Sequence, residues 1–199
     1  MGRSSLTIPN ALSGFRVAAV PALMILAWTG QSRAFLVLLC FSFLTDSVDG
    51  WLARHWHESS SIGARLDTWG DISTYTSLPI CGWWLCQDVM RREAAFIVPV
   101  LASFFVPAVY ACVKYGRITS YHTRLAKLSS ILMSVSLVLL FAGLTPWPFR
   151  VFAVVPVLEA VEEILIITVL REWQSDVPTF WHALAIRRQA RARAQGAGT

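Results

Sequence analysis

Charge is what this sequence has least of. Lys, Arg, Asp and Glu make up 15% of its 199 residues, while 55% are hydrophobic. A soluble domain carries about 25% charged residues. The mean hydropathy of +0.55 agrees, and together these values exclude an ordinary water-soluble domain and indicate an integral membrane protein. Cysteine is sparse as well. Cys40, Cys81, Cys86 and Cys112 all fall in apolar segments and form no CxxC. That excludes a thiolate zinc site and a disulfide framework, and predicts buried reduced thiols. No internal repeat, low-complexity linker or signal-peptide cleavage pattern is present, so the first apolar run is expected to stay as a helix. The length suits a single domain over residues 1–199.

What is there is a series of uncharged runs. A spanning helix needs about 20 apolar residues, and six such spans fit: 17–30, 34–54, 62–86, 94–113, 128–144 and 149–170. The expected fold is therefore all-α, a polytopic bundle of six transmembrane helices. Pro21, Pro79, Pro99, Pro107 and Pro156 lie within the spans, where neighbouring helices absorb the kinks. With six spans both termini share one side. Thirteen of the seventeen Lys and Arg residues fall on that side, and only Arg33, Arg91, Arg92 and Arg150 on the other. Positive charge marks the cytoplasmic face, so both termini are expected to be cytoplasmic. Trp28, Trp83, Trp84 and Trp147 would form the outer aromatic belt, and Trp51, Trp56, Trp69, Trp173 and Trp181 the inner one.

Against this apolar background stand four aspartates. The stretch 46–71 reads DSVDGWLARHWHESSSIGARLDTWGD, between AFLVLLCFSFLT and ISTYTSLPICGWWLC. A charged side chain at membrane depth costs on the order of 3 kcal/mol or more and so marks function. Residues three or four apart share a helical face. Asp46, Asp49, Gly50 and Ala53 therefore line one face of the second span, and Gly63, Asp67 and Asp71 one face of the third. Acids this close repel one another unless cations hold them together. Carboxylate oxygens without thiolate or imidazole suit Mg²⁺ or Mn²⁺. Two divalent ions would neutralise four carboxylates, an arrangement suited to charge on a reacting phosphorus centre. Gly50, Ala53 and Gly63 leave room between helices for a base or a diphosphate, or simply allow close packing.

These residues match D-x2-D-G-x2-A-R-x8-G-x3-D-x3-D at every fixed position: Asp46, Asp49, Gly50, Ala53, Arg54, Gly63, Asp67 and Asp71. The stretch resembles the signature of the CDP-alcohol phosphatidyltransferase family. The segment IPNALSGFR, Ile8 to Arg16, and the six-span layout extend the likeness over most of the chain. The resemblance implies attack of an alcohol hydroxyl on the β-phosphorus of a CDP-linked donor, usually CDP-diacylglycerol, with loss of CMP. It implies that Asp46, Asp49, Asp67 and Asp71 hold two Mg²⁺ or Mn²⁺ ions and that Asp71 is also the general base. Gly50, Ala53 and Gly63 would shape the cytidine pocket, and Arg54 would touch the diphosphate. It further implies a homodimer in the inner membrane of a bacterium, the site facing the cytoplasm. A base must lie within hydrogen-bond reach of the hydroxyl it deprotonates, and a carboxylate beside the metals meets that need.

The acceptor side is expected in KYGRITSYHTRLAK, 114–127. Lys114, Arg117, Arg124 and Lys127 there suit an acceptor phosphate, with Arg117, Arg124 and Lys127 as the candidate set. Size and this basic stretch favour glycerol 3-phosphate, giving phosphatidylglycerol phosphate. Inositol phosphate, phosphatidylglycerol or serine are the other acceptors. Glu159, Glu162 and Glu163 interrupt the sixth span and are expected to pair with cations such as Arg16, or to help select the acceptor. His55 and His57 stand two apart, a poor spacing for one helical face. The basic tail, about 186–199, is expected to be mobile and to favour anionic membrane lipids; topology explains its charge without nucleic acid. From a different class, an ion-coupled transporter also holds intramembrane acids, but its broken-helix repeats are missing.

Overall fold

Each of the expected spans is helical in the computed structural model, and the ends of the helices follow from local chemistry. The structure describes residues 8–56, 61–116, 123–170, 174 and 177–196; within these, 8–13, 46, 47, 49–56, 61–68, 71, 124 and 190–196 are placed by helical backbone alone. Nine helices occur among the described residues, and no strand. They are α1 (Ile8–Trp28), α2 (Ser32–Trp56), α3 (Ser61–Leu85), α4 (Gln87–Arg92), α5 (Ala94–Tyr115), α6 (Arg124–Phe141), α7 (Trp147–Phe152), α8 (Val154–Val169) and α9 (Phe180–Gly196). Of these, α5 is long and apolar enough to cross a membrane by length and composition; shorter apolar stretches cover Gly14–Trp28, Ser32–Thr45 and Leu125–Phe141.

Three helices stop at a left-handed glycine, among them α5 at Gly116 with φ +68°. Gly30 has φ +71° and Gly143 φ +68°. The Gly30 and Gln31 N–H groups donate to the Ala27 and Leu26 carbonyls at 3.1 and 2.9 Å, and those of Gly143 and Leu144 to Leu140 and Leu139 at 3.1 and 3.2 Å. This pattern satisfies the orphan carbonyls at a helix end and needs a residue without Cβ strain. The first helix begins earlier than expected, at Ile8, with Pro9 in its first turn, where a missing N–H costs nothing. The expected sixth span, 149–170, is instead divided at Ala153 into α7 and α8. Pro156 has no N–H to return to the Phe152 carbonyl four residues back, which favours a break there.

The chain forms two compact units, Met1–Ala94 with Leu137–Pro146, and Ala95–Ser136 with Trp147–Thr199. In the first, α1 packs on both α2 and α3. Its core is Leu23 and Ala27 from α1, Phe35 and Leu39 from α2, and Leu78 and Cys81 from α3, closed by Leu137, Val138 and Phe141. The pairs stand three or four apart, as one buried helical face requires. Trp28 meets Trp84 edge-on at 5.1 Å, so the C-terminal ends of α1 and α3 lie together. In the second unit, Ala111 of α5, Ile166 and Ile167 of α8, Leu170, Val177 and Ala183 of α9 form the core.

Polarity is distributed unlike that of a soluble protein. Ser42, Thr74, Ser77, Ser129 and Ser136 are buried, while Val98, Val109, Val113, Leu158 and Leu165 are exposed, Val113 to 81%. Ser77 and Ser136 are satisfied within their own helix: Ser77 donates to the Thr74 carbonyl and Ser136 to that of Met133, each at 3.0 Å. Small hydroxyl residues let helices approach closely, and an outer surface of large aliphatics suits lipid rather than water.

Candidate active site

The aspartate motif straddles two helices. Asp46, Asp49, Gly50, Ala53 and Arg54 lie in the C-terminal half of α2, and Gly63, Asp67 and Asp71 in the N-terminal half of α3. At about 100° per residue, Asp46, Asp49, Gly50 and Ala53 fall within an arc of about 100°, and Gly63, Asp67 and Asp71 within about 80°. Asp46 and Asp49 are separated by about 4.5 Å along their axis, and Asp67 and Asp71 by about 6 Å. The side chains of these motif residues lie outside the described set. The case for metals here rests on donor chemistry and helical register: four carboxylates, no thiolate and no imidazole, which fits hard divalent cations. Among the described residues no three His, Cys, Asp or Glu gather as a ligand set.

A buried side chain of α1 reaches α3 within the motif stretch. Arg16 is 3% exposed. Its guanidinium carbon and one terminal nitrogen lie 3.5 Å from where a Cβ on Gly70 would stand. Gly70 precedes Asp71 by one residue and follows Asp67 by three. Arg16 was expected as a partner for the acids of the sixth span; its contact with α3 could not be read from spacing, because 54 residues separate Arg16 from Gly70. One turn beyond Gly70, Thr74 is also buried, and its hydroxyl has no partner among the described residues.

The acceptor candidates fare differently from one another. Arg117 lies outside the described residues, as do Thr119, Ser120 and His122. Arg124 opens α6, placed by backbone alone, and Lys127 is exposed on its first turn. That turn is capped by Thr123, which sequence reading passed over: its Oγ1 accepts the Ala126 N–H at 3.0 Å, and the Lys127 N–H reaches its carbonyl at 3.3 Å. A threonine preceding an apolar run is the available signal for such a cap. Lys114 is committed elsewhere. Its Nζ donates to the carbonyls of Ile167, Thr168 and Leu170, using all three ammonium donors. Tyr115 adds its hydroxyl to the Ile167 and Leu170 carbonyls at 2.9 and 3.0 Å. The end of α5 thus closes the C-terminus of α8, where a cation is favoured.

Glu159 and Glu162 of the sixth span each hold a neighbouring element. Glu159 is hydrogen-bonded to Ser129 of α6. Glu162 accepts the Phe180 N–H at 3.1 Å, placing an anion at the N-terminus of α9. The basic tail continues as helix to Gly196, with Phe180, Ala183 and Ile186 packed on the α5–α8 core. A separate open groove of about 540 Å³ runs between α5 and α8, lined by Phe105, Val106, Val109, Tyr110, Val113, Ile164 and Thr168. It has no charged residue and is unsuited to phosphoryl chemistry.

A helical chain with a lipid-suited exterior and paired carboxylates on successive helices is the general class. Its family is defined by the match of the CDP-alcohol phosphatidyltransferase model to residues 6–170, and the chain belongs to that family. It is 38% identical over 108 residues to the cardiolipin synthase (CMP-forming) of Streptomyces coelicolor, covering 48% of this chain and 50% of that protein. It is 34% identical over 105 residues to the rat cardiolipin synthase (CMP-forming), covering 46% and 35%. Over 69 residues it is 38% identical to a CDP-diacylglycerol–glycerol-3-phosphate 3-phosphatidyltransferase of Salmonella choleraesuis, covering 32% and 37%. The chain spans about half the length, or less, of these curated relatives.

Proposed function

We propose that this protein transfers the phosphatidyl group of CDP-diacylglycerol to an alcohol and releases CMP. The observation that carries the reading is the unbroken aspartate motif on α2 and α3, within a chain of this family. Asp46, Asp49, Asp67 and Asp71 would hold two Mg²⁺ or Mn²⁺ ions. When bound, such ions neutralise charge building on the phosphate oxygens. Asp71 takes the proton of the acceptor hydroxyl. The freed oxygen attacks the β-phosphorus, the bond from that phosphorus to the bridging oxygen breaks, and CMP departs with the electron pair. Gly50, Ala53 and Gly63 leave space for the cytidine, and Arg54 orients the diphosphate.

The acceptor carries a glycerol hydroxyl and a phosphate, which Arg117, Arg124 and Lys127 would hold. Lys127 is exposed at the start of α6, and a capped helix N-terminus favours an anion. Loop charge alone favours glycerol 3-phosphate. The longer matched stretches, 108 and 105 residues against 69, are with proteins named cardiolipin synthase, which supports phosphatidylglycerol as the second reading. In this reading α1, α2, α3, α5, α6 and α7–α8 cross a bacterial inner membrane, with termini and site cytoplasmic. The protein works as a homodimer, and the arginines of α9 rest on anionic lipids. The test is CMP release from CDP-diacylglycerol by the purified protein with Mg²⁺ or Mn²⁺ and either acceptor, the lipid product identified by mass. Release with one acceptor and not the other decides between them; no release with any alcohol rejects the proposal.

A further inference from the structure

We infer that Arg16 is a positioning residue for the α3 arm of the metal site; this rests on the proposed reading of that site. Three observations meet at one level of the first unit. Arg16 is a buried cation on α1, 3% exposed. Its guanidinium lies against the backbone of Gly70 on α3, 3.5 Å from where a Cβ would stand. Gly70 sits between the carboxylate positions of that helix, three residues after Asp67 and one before Asp71.

A buried cation is costly unless anions compensate it. The α3 acids are adjacent in chain to the point it touches. Its unit charge offsets part of theirs, and its planar group sets the spacing between α1 and α3. Gly70 is the residue type that permits this. An alanine there makes ordinary contact, whereas a branched side chain must displace the guanidinium. Thr74, buried one turn on, extends the polar layer.

Two consequences can be separated. Loss of the charge makes the carboxylate set more negative and tightens divalent-ion binding, while loss of the planar support disorders the catalytic arrangement and lowers turnover. Arg16→Met is therefore expected to lower kcat at least tenfold with little change in donor KM, and to tighten Mn²⁺ binding about threefold or more. Binding is read from the free-Mn²⁺ electron paramagnetic resonance signal, without substrate. Arg16→Lys restores the ordinary Mn²⁺ affinity and not the turnover. Gly70→Val behaves as Arg16→Met, though it alters neither the arginine nor an aspartate, and Gly70→Ala behaves as the unaltered protein.

Each variant is compared as monodisperse protein in detergent. Arg16→Lys and Gly70→Ala keep the test open should Arg16→Met fail to fold. Unaltered Mn²⁺ affinity in both Arg16→Met and Gly70→Val overturns the inference, even in an active enzyme. An inactive unaltered protein whose Mn²⁺ affinity still shifts in these variants overturns the transferase reading alone. Failure of the unaltered protein to bind Mn²⁺ overturns both.

Discussion

Lys114 at the end of α5 donates its ammonium to the Leu170 carbonyl at 2.9 Å, just past the end of α8. That bond removes a cation from the proposed acceptor set and makes it a fastening between two helices. Replacement of Lys114 by Met leaves partly buried carbonyls without a charged donor. A loss on the order of 1–2 kcal/mol is expected, since such bonds are worth about 1.5–3 kcal/mol and solvent screens this one. Thermal unfolding in detergent measures it. A tenfold rise in acceptor KM with no loss of stability would place Lys114 at the acceptor instead.

Asp71→Asn preserves shape and removes the proposed base. Turnover should fall by about 10²–10⁴-fold, the range ascribed to general acid–base catalysis, with donor binding largely retained. The readout is CMP release at saturating donor. An enzyme retaining more than a tenth of its rate would exclude Asp71 as the base.

Metal removal tests the donor set as a whole. Chelation with EDTA should abolish CMP release, and excess Mg²⁺ or Mn²⁺ should restore it. Asp46→Asn and Asp67→Asn, one from each helix, should each raise the metal concentration needed for half-maximal rate. Equal activity before and after chelation would rule out the two-ion arrangement.

Glu162 holds the first turn of α9 through the Phe180 N–H. Glu162→Ala should loosen that end by about 1 kcal/mol, the usual worth of a helix-capping interaction. Glu162→Gln, which still accepts a hydrogen bond, should lose less. Trypsin cleavage at Arg187 and Arg188 reports the undocking. Identical cleavage of the alanine variant and the unaltered protein would show that Glu162 does not anchor the helix.

Most of the helical pattern was legible because charge is so scarce that the apolar runs have clear ends. The expected fourth span, 94–113, nearly coincides with α5. The break at Ala153 was missed although its signal was present, in the N–H that Pro156 lacks. The motif was legible because its residues form two short helical registers. Lys114 was misread because its charge alone suits a phosphate as well as it suits three carbonyls.

By itself the sequence determined four carboxylates at helical spacing, and a surface composition that lipid tolerates better than water. Both are properties of residue type and period. Tertiary structure alone decided the work of cations that look alike in sequence. Lys114 closes α8, Lys127 stays exposed at a capped turn, and Arg16 lies buried against Gly70. A cation's role depends on which partner the helix crossing brings within a few ångströms, and those partners are more than fifty residues away along the chain for both Lys114 and Arg16.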